Sequence, residues 1–107
     1  MTASGELDPA FRSASRIRVA AYLSGCDEAE FQAVQTYCEL TPSNLSKLVS
    51  AMEEIGYVSA RKGYVGKTPR TWLALTALGR SALAAHLNTL KKIAESARIA
   101  GHTEGRR

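Results

Sequence analysis

Residues 41–56, TPSNLSKLVSAMEEIG, contain the clearest beginning and end of a helix in the chain. Thr41 carries a hydroxyl that can cap free backbone N–H groups, and Pro42 suits the first helical position because its ring fixes φ. Gly56 is typical of the residue that follows a helix. Apolar side chains recur at helical spacing at Leu45, Leu48, Val49 and Met52. The pattern predicts an amphipathic helix with one face on the core.

Two further helices are predicted before this one. Asp8-Pro9 has the character of a helix start, and the segment 13–23 is apolar nearly all round, which indicates a buried first helix. Residues 1–8 are small and polar, which predicts a flexible arm. The second helix is predicted from an acidic start and an apolar stripe, at Asp27, Glu28, Glu30, Phe31, Val34 and Cys38.

Beyond the 41–56 helix the pattern changes from helical to alternating. Residues 57–61 and 71–75 are typical of two strands, and the segment 62–70 has two glycines, a proline and several cations, so a hairpin with a long basic loop is predicted. A last helix runs to about Ala97 and is followed by a polar tail, residues 98–107. The chain is therefore predicted to be a single domain, mostly α with a small β hairpin, in the order helix, helix, helix, strand, strand, helix.

Length and composition exclude several classes of protein. A chain of 107 residues forms one compact domain, and 45% hydrophobic with 22% charged residues is a globular composition. No apolar run approaches the ~20 residues that cross a bilayer, and the N-terminus lacks the pattern of an export signal. A cytoplasmic protein without a membrane role is expected. Cys26 and Cys38 are then expected to be free thiols, with any redox role left open.

No arrangement of side chains in the sequence is typical of catalysis or of metal binding. The two cysteines do not form a C-x-x-C pair, and His86 and His102 lie on or beyond the last predicted helix. No serine, histidine and aspartate set and no carboxylate pair has a catalytic spacing. We therefore expect neither an enzyme nor a bound metal or cofactor.

The charge distribution favours a polyanionic partner. The net charge is only +4, but no acidic residue occurs between Glu54 and Glu95, where seven cations do. These cations are Arg61, Lys62, Lys67, Arg70, Arg80, Lys91 and Lys92. A field of one sign suits DNA, although a solvated basic face would have the same composition.

The outer face of the 41–56 helix has the composition of a DNA-reading surface. Opposite its apolar stripe lie short hydrogen-bonding side chains and one lysine, which can enter a major groove about 12 Å wide. The hairpin can place further cations against phosphates, and its glycines allow a close approach. The predicted DNA-contacting residues are Thr41, Ser43, Asn44, Ser46, Lys47, Arg61, Lys62, Lys67, Thr68 and Arg70. The alternative for this helix is a serine-rich face that is simply solvated.

Five segments together resemble the winged helix-turn-helix regulators of the MarR/ArsR-like superfamily. In chain order they are RIRVAAYL (16–23), FQAV (31–34), NLSKL (44–48), EIGYV (54–58) and LTALGR (75–80). The resemblance implies a winged helix domain over residues 9–97. It also implies a dimer whose two recognition helices enter successive major grooves, each flanked by a wing. Ser50 and Ala51 stand where similar proteins commonly have a basic residue.

The last predicted helix carries a heptad-like apolar seam. Leu83, Leu87, Leu90 and Ala94 recur at spacings of four and three. A helix of about twenty residues is ~30 Å long, which is more than a core of this size covers. We predict a dimerisation helix at about 77–97 with these four residues at the interface, and packing against the first helix is the alternative.

These patterns predict a sequence-specific regulator of transcription that binds double-stranded DNA as a homodimer. The alternative is a winged-helix module that binds another protein through the outer face of the third helix. Ionic strength separates the two because DNA binding weakens steeply with salt. The operator sequence, the direction of regulation and any small-molecule effector are left open.

Overall fold

A computed structural model describes residues 6–105 of the protein. A short 3-10 helix, Pro9–Phe11, comes first. It is followed by α1 (Ala14–Ser24), β1 (Ala29–Glu30), α2 (Phe31–Cys38), α3 (Pro42–Glu54), β2 (Val58–Val65), β3 (Thr68–Leu75) and α4 (Ala77–Gly105). The predicted class, mostly α with a small β hairpin, is confirmed. None of the helices in the described residues is long and apolar enough to cross a membrane.

The first predicted helix is divided into two pieces by two separate caps. The Asp8 carboxylate accepts a hydrogen bond from the Ala10 N–H at 2.9 Å, which starts the 3-10 helix. The Ser13 hydroxyl accepts from the Arg16 N–H at 3.2 Å and starts α1. A side chain that caps free N–H groups favours a new helix start at its own position, so the chain turns between the two caps.

Asp8, the first cap, is also tied to α4 and to Tyr57. The Asp8 backbone N–H donates to Nδ1 of His86 on α4 at 2.9 Å, and the Tyr57 hydroxyl donates to the Asp8 carboxylate at 2.6 Å. The rings of Phe11 and Tyr57 stack with centroids 5.7 Å apart. Asp8, the last residue of the predicted arm over residues 1–8, is therefore docked, and residues 1–5 lie outside the described part.

The three strands form one antiparallel sheet in the order β1, β3, β2. Pairing between β2 and β3 runs without a break from Val58 opposite Leu75 to Val65 opposite Thr68. The long loop predicted at 62–70 is thus a continuous hairpin that turns at Gly66, whose φ of +64° is a conformation that favours glycine.

The sequence pattern does not predict strand β1. Ala29 pairs with Leu73 and Glu30 with Trp72, so this segment adds a third strand beside β3. The acidic residues that suggest the start of the second helix belong to β1 and the turn before it. Helix α2 begins only at Phe31, and the Glu30 side chain makes no capping hydrogen bond.

The core lies between helices α1, α2 and α3 and one face of the sheet, and Leu83 of α4 also belongs to it. The apolar stripe predicted for α3 is buried in full, from Leu45 to Met52. Each fully buried side chain of this size contributes about 1.5–3 kcal/mol. The largest fully buried side chains are Phe11, Leu23, Leu45, Met52, Leu73, Val19, Val34 and Cys38.

Helix α4 is joined to the hairpin by a tight set of contacts at its first turn. The Thr76 hydroxyl donates to the Gly56 carbonyl at 2.6 Å and accepts from the Gly79 N–H at 2.9 Å. Gly79 lies against the backbone of Tyr57, and a Cβ there would be 2.2 Å from the Tyr57 carbonyl oxygen. The LTALGR segment (75–80) therefore fixes the direction of α4 relative to the hairpin.

Helix α4 is longer than predicted. It runs through Gly101 to Gly105, where the sequence indicates an end near Ala97 and a polar tail. The helix leaves the core well before its end, because every described side chain from Leu90 onward is exposed. At its base, the Arg80 guanidinium donates to the carbonyls of Ser24 and Cys26 at 3.1 and 3.0 Å, which ties α4 to the end of α1.

Candidate nucleic-acid interface

Helices α2 and α3 are joined by a turn of three residues, which gives a helix-turn-helix. The turn is possible because Glu39 adopts a left-handed conformation with φ of +55°. Its N–H and that of Leu40 donate back to the carbonyls of Thr36 and Gln35 and close the last turn of α2. Helix α3 consequently starts directly after α2 and presents its outer face to solvent.

The start of α3 is fixed by the predicted cap. The Thr41 hydroxyl oxygen accepts a hydrogen bond from the Asn44 N–H at 3.0 Å, and Pro42 occupies the first turn. The sequence analysis also assigns Thr41 as a DNA contact. The structure gives its oxygen a capping role that positions the residues after it.

The predicted reading face of α3 is free. The side chains of Ser43, Asn44, Ser46 and Lys47 are exposed. Within residues 6–105 they make no hydrogen bond or ion pair that would occupy them. The face has donors, acceptors and one unpaired cation, and its helix packs against strand β2 of the hairpin.

The five residues predicted for the hairpin fall into two groups. Lys62, Lys67 and Thr68 are exposed, and neither lysine has an ion-pair partner in the described part of the chain. Tyr64 and Val65 beside them are 71% and 52% exposed, so the tip also offers apolar surface. Arg61 and Arg70 form the second group, and each faces a carboxylate.

Arg61 is held by two partners. Its Nε and Nη2 donate to the two carboxylate oxygens of Glu28, at 3.3 and 2.5 Å. Its guanidinium lies 4.4 Å from the centroid of the Trp72 ring, which adds a cation–π contact. The hydrogen bond lowers the pKa of the Glu28 carboxyl and raises that of Arg61. Both groups therefore stay charged at neutral pH.

Arg70 is held more loosely. Its Nε is 3.7 Å from a Glu30 carboxylate oxygen, which is beyond hydrogen-bond distance. The same Nε is buried and has no hydrogen-bond partner among the described residues. Sequence analysis misses both pairs because Glu28 and Glu30 come from β1 and the turn before it, where no strand is predicted.

The predicted dimer residues are divided between the core and the surface of one protomer. Leu83 is only 5% exposed and packs in the protomer's own core, so its assignment to the interface is corrected. Leu87 and Leu90 are 43% and 38% exposed, and Ala94 is exposed as well. Apolar side chains continue beyond them, at Ile93 and Ile99.

The described residues bring together no group of three or more histidine, cysteine or carboxylate side chains that could hold a metal ion. Cys26 and Cys38 are free thiols. Cys38 is buried in the core, and burial raises the pKa of its thiol. A raised thiol pKa disfavours the reactive thiolate.

A helix-turn-helix followed by a two-stranded hairpin beside the second helix is the architecture of a winged helix domain, with α3 as recognition helix and the β2–β3 hairpin as wing. The winged helix DNA-binding domain family matches residues 15–94. The chain belongs to this family, and the predicted winged helix-turn-helix class is confirmed.

Similar proteins are known from both sequence and structure. An uncharacterized protein of Methanocaldococcus jannaschii is 26% identical over 86 residues, which cover 80% of this chain and 94% of that protein. The structure of a transcriptional regulator homologue from Pyrococcus horikoshii superposes with a TM-score of 0.69 at 25% identity, over 81% of this chain and 91% of that one.

The same fold occurs in solved regulators of transcription at lower identity. The regulator MosR of Mycobacterium tuberculosis, solved in complex with DNA, matches with a TM-score of 0.65 at 17% identity. The match covers 83% of this chain and 63% of that one. A MarR-family regulator from Silicibacter pomeroyi also has this fold, with a TM-score of 0.58 at 21% identity over 75% of this chain and 53% of that one.

Proposed function

We propose that this protein is a sequence-specific regulator of transcription that binds double-stranded DNA as a homodimer. The observation that carries the proposal is the unoccupied polar face of α3, on a helix that packs against a wing with two unpaired lysines among the described residues. The fold is that of a DNA-binding family, and the similar MosR regulator was solved with DNA. The proposed role is binding, not catalysis.

In this proposal α3 and the wing contact different parts of the DNA. Asn44 and Lys47 have the reach to bond base edges, since an amide can pair with adenine and a lysine can reach guanine O6 and N7. The serines at 43 and 46 are short and suit phosphates or a close approach. Lys62 and Lys67 would neutralise backbone phosphates beside the groove, which contributes affinity without sequence preference.

The homodimer is supported by the exposed part of α4. The helix has 29 residues, or about 43 Å, and the described side chains of its second half are exposed in the protomer. Leu87, Leu90 and Ile93 leave apolar area in water within about 120° of the helix circumference. A second copy that packs the same helix against it would bury this surface in a symmetric contact.

The test is binding to a 25-base-pair duplex over a range of salt concentrations, followed by fluorescence anisotropy. We expect log K to fall linearly with log salt concentration, with a slope of about −0.9 for each phosphate neutralised. A protein–protein module would bind duplex DNA weakly or not at all at 50 mM salt. Absence of binding under those conditions would contradict the proposal.

A further inference from the structure

The wing has four cations, but two of them face carboxylates of the same chain. We propose that Glu28 and Glu30 lower the affinity for DNA of any sequence, because they hold Arg61 and Arg70 in ion pairs and leave the wing with only its lysines to meet phosphates. The inference rests on the proposed function and specifies how the strength of DNA binding is set at the same surface.

Sheet geometry places the two pairs together on one face. Side chains alternate along a strand, and the register sets both Arg61 and Glu30 opposite Trp72. Arg70 is two residues from Trp72 on β3 and therefore points to the same face. Lys62 is one residue from Arg61 and points to the other. The arginines thus share a face with the carboxylate of Glu30, and Lys62 does not.

The two pairs differ in strength. Arg61 has two hydrogen bonds to Glu28 and lies over Trp72. Gly63 leaves room for this arrangement, since a Cβ there would be 3.0 Å from the Trp72 ring. Arg70 has only the 3.7 Å contact with Glu30. Arg61 is therefore the more firmly held cation, and Arg70 is the one that a phosphate would recruit first.

Ion pairing weakens the part of DNA binding that does not depend on sequence. Affinity for random sequence comes from cations that release counterions from the phosphates. A cation that already has a carboxylate beside it adds little to this affinity, because the carboxylate is drawn towards the phosphates with it. Base contacts from α3 do not involve the pairs. The pairs therefore lower the affinity for every sequence by a similar factor and leave the base contacts unchanged.

The experiment compares the double variant Glu28→Gln, Glu30→Gln with wild type on a random-sequence duplex between 50 and 200 mM salt. We expect tighter binding, by about three- to tenfold at the lowest salt, and a salt slope steeper by about one to two per protomer. The control is Glu53→Gln, Glu54→Gln, which removes the same charge from exposed positions at the end of α3. The control should increase affinity far less and leave the slope unchanged.

A comparison of two further wing variants tests the inference independently of the Glu28/Glu30 variant. Arg61→Gln, Arg70→Gln and Lys62→Gln, Lys67→Gln remove equal charge from the wing, and we expect the lysine variant to lose more affinity. The inference is overturned if the arginine variant loses as much, or if the Glu28/Glu30 variant binds like its control. If neither wild type nor any glutamine variant binds duplex, the proposed function fails as well, which distinguishes the two outcomes. Circular dichroism verifies that each variant is folded.

Discussion

At the scale of single residues, Gly79 shows how one position constrains the whole fold. Its Cα approaches the Tyr57 backbone so closely that a methyl group would overlap the carbonyl oxygen. That oxygen also accepts the Thr76 N–H at 3.0 Å, so it cannot move without loss of a hydrogen bond. A residue with a Cβ does not fit where α4 meets the hairpin unless the backbone shifts.

Gly79→Ala should destabilise the protein by about 1–3 kcal/mol, because backbone atoms have to shift to admit the methyl group. Gly101→Ala is the matched control. Gly101 lies in the same helix, and a Cβ added there would meet no atom within 4 Å, so alanine should stabilise by about 0.5–1 kcal/mol. Urea unfolding measures both. Equal effects at the two positions would contradict the close approach.

The hydrogen bond between Tyr57 and Asp8 provides a second test at this scale, because its contribution to stability depends on pH. This hydrogen bond to the Asp8 carboxylate, helped by burial, raises the pKa of the Tyr57 phenol from 10.0 to about 12. A raised folded-state pKa means that the stabilisation is fully present below pH 10 and is lost as the pH rises towards 12 and beyond.

Tyr57→Phe should therefore cost about 1 kcal/mol at pH 8, the size of a typical hydrogen bond, and progressively less above about pH 10. The quantity to measure is the difference in unfolding free energy between wild type and variant at about pH 8, 10 and 11.5, which spans the titration of the phenol. A difference that is constant over this range would show that the Tyr57–Asp8 bond does not contribute.

At the scale of elements, the parts that could be predicted are those with local signals. The cap at Thr41 and the apolar stripe of α3 lie within one helix, so the helix and its free face follow from sequence alone. Strand β1 has two residues and exists only through its pairing with β3, far along the chain. No local pattern reveals such a strand.

The same reasoning explains what the sequence analysis misses at the candidate site. The sequence assigns Arg61 and Arg70 to DNA because no acidic residue occurs near them along the chain, whereas their partners come from β1 and the turn before it. The length of α4 is underestimated because Gly101 is typical of a helix end. The helix continues there since Gly101 has no positive φ, and the Thr103 hydroxyl donates to the Ile99 carbonyl within the helix.

The recognition helix is tested by Lys47→Ala. We expect a loss of about 1–3 kcal/mol on a selected binding site and much less on random duplex, because the lysine is proposed to contact base edges. Lys91→Ala, on the exposed side of α4, removes the same charge away from the groove and should affect both duplexes slightly and equally. Equal losses for Lys47→Ala on the two duplexes would reduce its role to a phosphate contact.

At the scale of the whole molecule, α4 requires an explanation beyond the protomer. The described residues extend over 67 × 30 × 21 Å, and the long axis reflects a helix that leaves its own core. An exposed apolar seam on a protruding helix is typical of an interface. The dimer would also set the distance between two recognition helices.

Leu87→Glu should convert the proposed dimer to monomer, since two facing carboxylates would be buried near the symmetry axis. Sedimentation velocity at micromolar concentration measures this. Asn88→Glu is the control, because it adds the same charge to an exposed position one residue further on, about 100° round the helix and away from Leu90. Leu87 is 43% exposed in the protomer, so the variant should stay folded. A wild-type protein that is already a monomer would contradict the assembly.

Selection of binding sites from a pool of random duplexes tests the central claim most directly, because it measures sequence reading and symmetry together. The account predicts enrichment of an inverted repeat, whose half-site centres are separated by roughly one helical turn, 10–10.5 base pairs, or a multiple of it. With Lys47→Ala no sequence should be enriched. With Leu87→Glu, single half-sites should be enriched in place of the inverted repeat. A pool that stays random after several rounds with wild-type protein would contradict the claim that this winged helix reads DNA sequence.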